Sequence, residues 1–121
     1  MLPPANRIRS HREFTKTVRG GVKVGQRDIV LYILRSDETE LARTGGPRFG
    51  LIVSKAVGNA VERHRVSRVL RHAISRVCAN VDWRADVVVR ALPRSRDSSY
   101  FEMIHQLERG LSRADVLAGA R

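Results

Sequence analysis

Between Lys55 and Arg71 the chain reads Lys-Ala-Val-Gly-Asn-Ala-Val-Glu-Arg-His-Arg-Val-Ser-Arg-Val-Leu-Arg, and no other stretch narrows the possible folds so far. Asn59 followed by Glu62 has the spacing of a capping box, in which each side chain satisfies a free backbone N–H of the other at a helix start. Gly58, just before it, suits a tight strand-to-helix turn. Beyond the cap, Val66, Val69, Leu70, Ala73, Ile74 and Val77 gather on one side at about 100° per residue, which predicts a helix to about Asn80. His64, Arg65, Arg68, Arg71, His72 and Arg76 gather on the other side, with Arg63 nearer the apolar edge. No acid follows Glu62 in this helix. Like charges three or four residues apart cost an isolated helix a few tenths of a kcal/mol per pair, so such a face points to an anionic partner. The free N–H groups at the helix start are suited to a phosphate as well.

The elements around this helix follow from the same reasoning. Ser10 with Glu13 and Ser99 with Glu102 repeat the capping-box spacing and mark two further helix starts. The first helix is expected from about His11 to Arg19, stopped by Gly20-Gly21, with Phe14 and Val18 on one face. Val22 to Leu34 reads as extended, broken near Gly25, and Ile29 to Leu34 is apolar enough for a covered strand. Ser36 to Pro47 is polar and reads as a hairpin loop to a second strong strand at Phe49 to Ser54. A further strand spans Ala85 to Leu92 and is closed by Pro93. Phe101, Ile104, Leu107 and Leu111 predict an apolar stripe on the last helix, with fraying from about Ala114 and disorder in the first and last few residues. An antiparallel hairpin followed by a helical crossover makes this a single α+β domain over residues 1–121. Its order is α-β-β-β-α-β-α around a mixed four-stranded sheet.

Charge narrows the function. The net charge is +11, and only Lys16, Lys23 and Lys55 of the 23 basic residues are lysines. A polyanion is the natural partner, and arginine's bidentate, stacking guanidinium favours RNA. No apolar run reaches the roughly 20 residues needed to cross a bilayer, and the N-terminus lacks the apolar core of a signal peptide. Cys78 is the sole cysteine, so no intrachain disulfide is possible and a reducing cytoplasm is expected. In a chain with so few aromatics, Phe14 and Tyr32 are candidates for an exposed stacking platform for unpaired bases. Catalytic constellations are missing. Asp37, Glu38 and Glu40 cluster without a paired base, and His11, His64, His72 and His105 show no metal-ligand spacing with Cys78. A ribosomal or RNA-assembly protein, or a stand-alone nuclease using His and Glu, are alternative readings.

Taken together, Asn6-Arg-Ile, Glu13-Phe14, Val30-Leu-Tyr32, Gly50-Leu-Ile-Val-Ser-Lys55, Gly58-Asn-Ala-Val61, Arg-x-Arg-x-x-Arg from Arg63 to Arg68, Arg71 and Arg90-Ala-Leu-Pro93 resemble the protein subunits of bacterial ribonuclease P. The resemblance covers nearly the whole chain. His64 and Ser67 stand where the family helix usually carries Asn and Lys, and Val18 stands where it often carries an aromatic. The resemblance implies a holoenzyme in which an RNA subunit, with magnesium held mainly by that RNA, cleaves the 5′ leader from precursor tRNA. It implies that Arg63, His64, Arg65, Arg68, Arg71 and His72 meet the catalytic RNA. It implies that Phe14, Val18, Tyr32, Lys55, Asn59 and Arg90 meet the leader. It also implies a left-handed strand–helix–strand crossover, no catalytic or metal-ligating side chain, no membrane and no obligate protein partner.

Overall fold

The three capping sequences open three helices. The computed structural model describes residues 6–35, 47–81 and 84–119, the last five of these as backbone. In α1 (His11–Gly20) the Ser10 hydroxyl accepts the Glu13 backbone N–H at 3.1 Å. In α2 (Ala60–Cys78) the box is reciprocal. The Glu62 N–H donates to Asn59 at 2.8 Å, and the Asn59 N–H donates to the Glu62 carboxylate at 2.9 Å. The same exchange between Ser99 and Glu102 opens α3 (Tyr100–Gly119). The fraying expected from Ala114 is not what is found. Helix α3 continues to Gly119, and Ala114 is buried in the core.

Four strands, β1 (Val22–Gly25), β2 (Ile29–Arg35), β3 (Arg48–Ile52) and β4 (Ala85–Ala91), form one mixed sheet in the order β1-β2-β4-β3. The elements therefore follow the expected α-β-β-β-α-β-α order, but the expected hairpin between the second and third strands does not form. Strand β4 lies between them, antiparallel to β2 (Tyr32↔Val88) and parallel to β3 (Gly50↔Val88). The reason lies in the strands' burial. Every residue of β4 except Arg90 is buried, as a central strand requires, whereas β3 is mostly half-exposed, as an edge strand can be. The tight hairpin is instead β1–β2, closing at Gly25↔Val30. The expected loop at 36–46 lies outside the described residues.

The sheet is covered on both faces. Helices α2 and α3 pack over Ile29, Leu31, Ile33, Val87 and Val89, and over Phe49, which together form the main core. Helix α1 covers the other face, over Val30, Tyr32 and Val88. The apolar stripe of α3 runs through Met103, Leu107, Leu111 and Ala114, with Ile104 at its edge. Phe101 does not belong to it and is 76% exposed. At about 100° per residue it points roughly 160° away from Met103, so its spacing from Ile104 is misleading. After β4, Pro93–Asp97 form a 3₁₀ turn leading to α3.

Candidate nucleic-acid interface

The periodicity of α2 sorts its side chains as expected. Val66, Leu70, Ala73, Ile74 and Val77 are buried, while His64, Arg65, Arg68, Arg71 and His72 lie on the outer side. Arg63 is half-buried, and its Nε is buried without a hydrogen-bond partner among the described residues. Glu62, the helix's one acid, is turned to the cap and lies 3.6 Å from the Arg96 guanidinium. Its charge therefore does not neutralise the outer face. Arg65 is held by a 3.0 Å hydrogen bond to the Arg96 carbonyl.

The turn before α2 is anchored by fully buried Val57, with Lys55 exposed beside it. Gly58 has φ of +159°. Glycine is favoured here both by that positive φ, which L side chains rarely adopt, and by proximity: a Cβ would stand 2.5 Å from Glu62 Oε1 and 3.0 Å from its Cβ, pushing the carboxylate off the cap.

Across the sheet, Phe14 comes from α1 and rests its ring on the backbone of Gly50. A Cβ at Gly50 would lie 2.3 Å from Phe14 Cε2. Phe14 is half-buried, packed with Ile8, Val18, Ile52 and Leu92 against Val30, Tyr32 and Val88. The expectation that Tyr32 is an exposed platform is not met, since it is only 7% exposed. Alternation in β2 turns Tyr32 toward α1, which covers it. The Arg90 guanidinium stands 5.6 Å from the centre of its ring, within cation–π range, and Arg90 Nε is buried without a hydrogen-bond partner among the described residues.

Beside Phe14 lies a groove of about 420 Å³ at the β3 edge, lined by Arg7, Ile8, Phe14, Gly50, Leu51 and Arg71, among others. The arginine face and the aromatic residue thus meet at Arg71. Val18 stays within the small cluster under α1, and Tyr32, Lys55, Asn59 and Arg90 do not line the groove. Arg7 is a groove residue that the motif Asn6-Arg-Ile contained but did not single out. It arrives there because the N-terminal segment runs along β3. The Ile8 N–H donates to the Phe49 carbonyl at 3.0 Å, and Asn6 Nδ2 donates to the Pro47 carbonyl at 2.9 Å.

A second feature that the sequence did not reveal holds α1 in place. Arg48 lies 2.9–3.0 Å from the two carboxylate oxygens of Asp86 and 2.5 Å from Glu13. Burial alone raises the Glu13 pKa, but the hydrogen bonds from Arg48 and Ser10 outweigh it and hold the carboxyl below its ordinary value. Arg48 likewise stays charged. Burial opposes its charge, and the bonds to Asp86 and Glu13 overcome that.

Among the described residues, no three His, Cys, Asp or Glu side chains come together as metal ligands, and no helix is long and apolar enough to cross a membrane. Asp37, Glu38 and Glu40 lie outside the described residues. Burial pushes the Cys78 thiol above its ordinary pKa, which disfavours the reactive thiolate.

A family model described as Ribonuclease P matches residues 2–115 of the chain. The ribonuclease P protein component of Rhodococcus opacus is 49% identical over 119 residues, spanning 98% of this chain and 95% of the relative. That of Mycolicibacterium gilvum is 53% identical over 113 residues, spanning 93% and 89%. The solved structure of the Staphylococcus aureus RNase P protein superposes with a TM-score of 0.74 at 26% identity, covering 90% of this chain and 94% of that one. The Thermotoga maritima RNase P protein shares the fold with a TM-score of 0.73 at 19% identity, covering 88% and 96%.

Proposed function

The chain belongs to the bacterial ribonuclease P protein family, and from that premise we propose that it assists a catalytic RNA in removing the 5′ leader from precursor tRNA. The observation that carries this reading is the acid-free arginine face of α2, which shares Arg71 with the groove holding Phe14. Arg63, Arg65, Arg68 and Arg71 neutralise phosphates of the catalytic RNA, and His64 and His72 contact it beside them. Phe14 offers the open part of its ring to a leader base, with Arg7 and Arg71 in the same groove as phosphate partners. Arg90 over Tyr32, Val18 beneath the groove wall, and Lys55 and Asn59 at the head of α2 extend the same surface to the rest of the leader. Asn59 has its carbonyl oxygen committed to the cap, so its amide donor is what remains to offer.

The chain's own side chains bind and orient; the hydrolytic step belongs to the RNA. Glu13 and Asp86 both close on Arg48. In this reading magnesium is held mainly by RNA phosphates. The proposed setting is the bacterial cytoplasm, with no obligate protein partner.

The test is cleavage of precursor tRNA with catalytic RNA alone, protein alone and both together at low magnesium. Cleavage that requires the RNA and is stimulated by the protein supports the reading; cleavage by the protein alone overturns it in favour of a protein nuclease. Within the complex, Arg65→Ala with Arg68→Ala should weaken binding to the catalytic RNA and lower the salt slope of log K by roughly one unit for each phosphate no longer neutralised. Phe14→Ala should weaken precursor binding by roughly 1–3 kcal/mol and spare mature tRNA. Equal weakening on both substrates removes Phe14 from the leader site.

A further inference from the structure

The exposed ring of Phe101 lies at the far end of a charged path that begins on the arginine face. Arg65 bonds the Arg96 carbonyl at 3.0 Å, which joins α2 to the 3₁₀ turn. From the same turn, the largely exposed Arg94 reaches to 3.9 Å from the buried carboxylate of Asp28. Asp28 in turn holds Arg27 at 3.0 Å, and Arg27 bridges to Glu102 on α3 at 2.5 Å. Phe101 is the neighbour of Glu102. Further along α3, Arg109 Nη2 stands 2.7 Å from His105 Nε2. The path thus runs from Arg65 through Arg96, Arg94 and Arg27 to Phe101 and Arg109. Helices α2 and α3 pack together on one face of the sheet, the face opposite Phe14.

The ring itself is well held. It meets Tyr100 edge-on, with centroids 5.4 Å apart and planes at 67°, and Tyr100 packs against the main core. Phe101 borders a shallow hollow of about 460 Å³ lined by Gln26, Arg27, Glu102, His105 and Arg109, among others. The rigidity of this frame comes from Asp28. Its carboxylate accepts from Ser98 at 2.5 Å and from Gln106 at 2.7 Å, in addition to Arg27. Protein docking surfaces usually present a contiguous apolar patch of several hundred Å². Here the apolar component is one ring set among the Arg27 and Arg109 guanidinium groups, the His105 imidazole and the Glu102 carboxylate that Arg27 pairs with, on a chain of net charge +11. That combination fits an anionic partner carrying a flat ring, which is an unpaired nucleotide.

We propose that Phe101, with Arg27 and Arg109, is a second binding site for the catalytic RNA, on which one unpaired base stacks. It rests on the reading that the arginine face of α2 meets that RNA, because the path is continuous with that face and Phe101 sits on the helix pair across the sheet from Phe14.

The experiment measures affinity of the full-length protein for the catalytic RNA and, separately, for leader-bearing precursor tRNA, across a series of salt concentrations. Phe101→Ala should weaken catalytic-RNA binding by roughly five- to 150-fold, the equivalent of unstacking one base, with an unchanged melting temperature because the ring is exposed. Phe101→Trp should restore binding, and Phe101→Leu, apolar but without a π face, should not. Arg68→Ala is run in parallel. Weakening by Arg68→Ala with none by Phe101→Ala keeps the arginine face and overturns the second site; no weakening by either overturns both. Parental binding by Phe101→Leu, weakening confined to the precursor, or a change only in self-association of the free protein each overturns the proposal as well.

Discussion

The two faces of the sheet are built from the same strands and do different work. Beneath α2 and α3, 19 buried residues form one continuous cluster among the described residues; beneath α1 there are three, Val30, Tyr32 and Val88, with half-buried neighbours. Strand β2 feeds both, sending Ile29, Leu31 and Ile33 to one side and Val30 and Tyr32 to the other. The asymmetry shows how a small domain keeps an aromatic ring beside an open groove. One face supplies most of the hydrophobic stabilisation, so the other can leave Phe14 half-covered and place Arg7 and Arg71 next to it.

This division is broken or sharpened first by large-to-small substitutions. Leu70 is fully buried on the thick face, so Leu70→Ala should cost about 2–5 kcal/mol. Val18, half-buried on the thin face, gives up less burial, and Val18→Ala should cost about 1 kcal/mol, the common size for a point substitution. Denaturant unfolding of both variants decides the matter. A Val18 variant as unstable as the Leu70 variant makes the thin face a core in its own right, and the comparison fails.

Gly50→Ala probes the seam between the thin face and the groove. The added Cβ would overlap the Phe14 ring at 2.3 Å, and the ring belongs to a helix that Arg48 ties to the sheet. Relief requires the ring to swing away, at a cost of roughly 1–3 kcal/mol for an overpacked site. The expected result is a moderate fall in stability with a larger fall in preference for precursor over mature tRNA. Reduced stability with unchanged preference would separate Phe14 from the leader.

What the chain makes legible is local. Three capping boxes announce three helix starts, and helical periodicity places the arginines of α2 opposite Leu70 and Ile74, because both signals span only a few residues. Strand order is not legible. Phe49 to Ser54 and Ala85 to Leu92 are both apolar, and nothing within either says that β4 inserts between β2 and β3. Tyr32 misleads for a related reason: β2 is apolar on both sides, so alternation cannot reveal that α1 covers the tyrosine. Phe101 misleads because a spacing of three from Ile104 is helical, while the true stripe turns about Met103 and Leu107. The tie from Arg48 to Glu13 and Asp86 spans 35 and 38 positions, and an ion pair at that separation leaves no local pattern.

That tie carries the smallest predicted effect and the one with a defined pH dependence. Glu13 ionises below its ordinary value of 4.5 in the folded chain: burial opposes its charge, but Arg48 and Ser10 favour it more strongly. A carboxyl whose folded pKa is depressed adds stability above its unfolded pKa and loses it as pH falls through the folded one. At neutral pH the tie is therefore at full strength, and it fades only below about pH 4.5. Glu13→Gln keeps the shape but not the charge, so it should cost about 1 kcal/mol at neutral pH, the scale of a partly exposed ion pair. The gap between parent and variant should then close as both are acidified, because the parent's carboxyl becomes neutral too. Leu70→Ala supplies the contrast, since an apolar cavity on the thick face has no titrating group and its cost relative to the parent should stay nearly constant over the same range. Unfolding midpoints of the three proteins between neutral pH and about pH 3, below the ordinary glutamate value, test both halves. A Glu13→Gln deficit that stays flat or widens in acid means that shape, not charge, holds α1 against the sheet, and the thin face is then packed by the same means as the thick one.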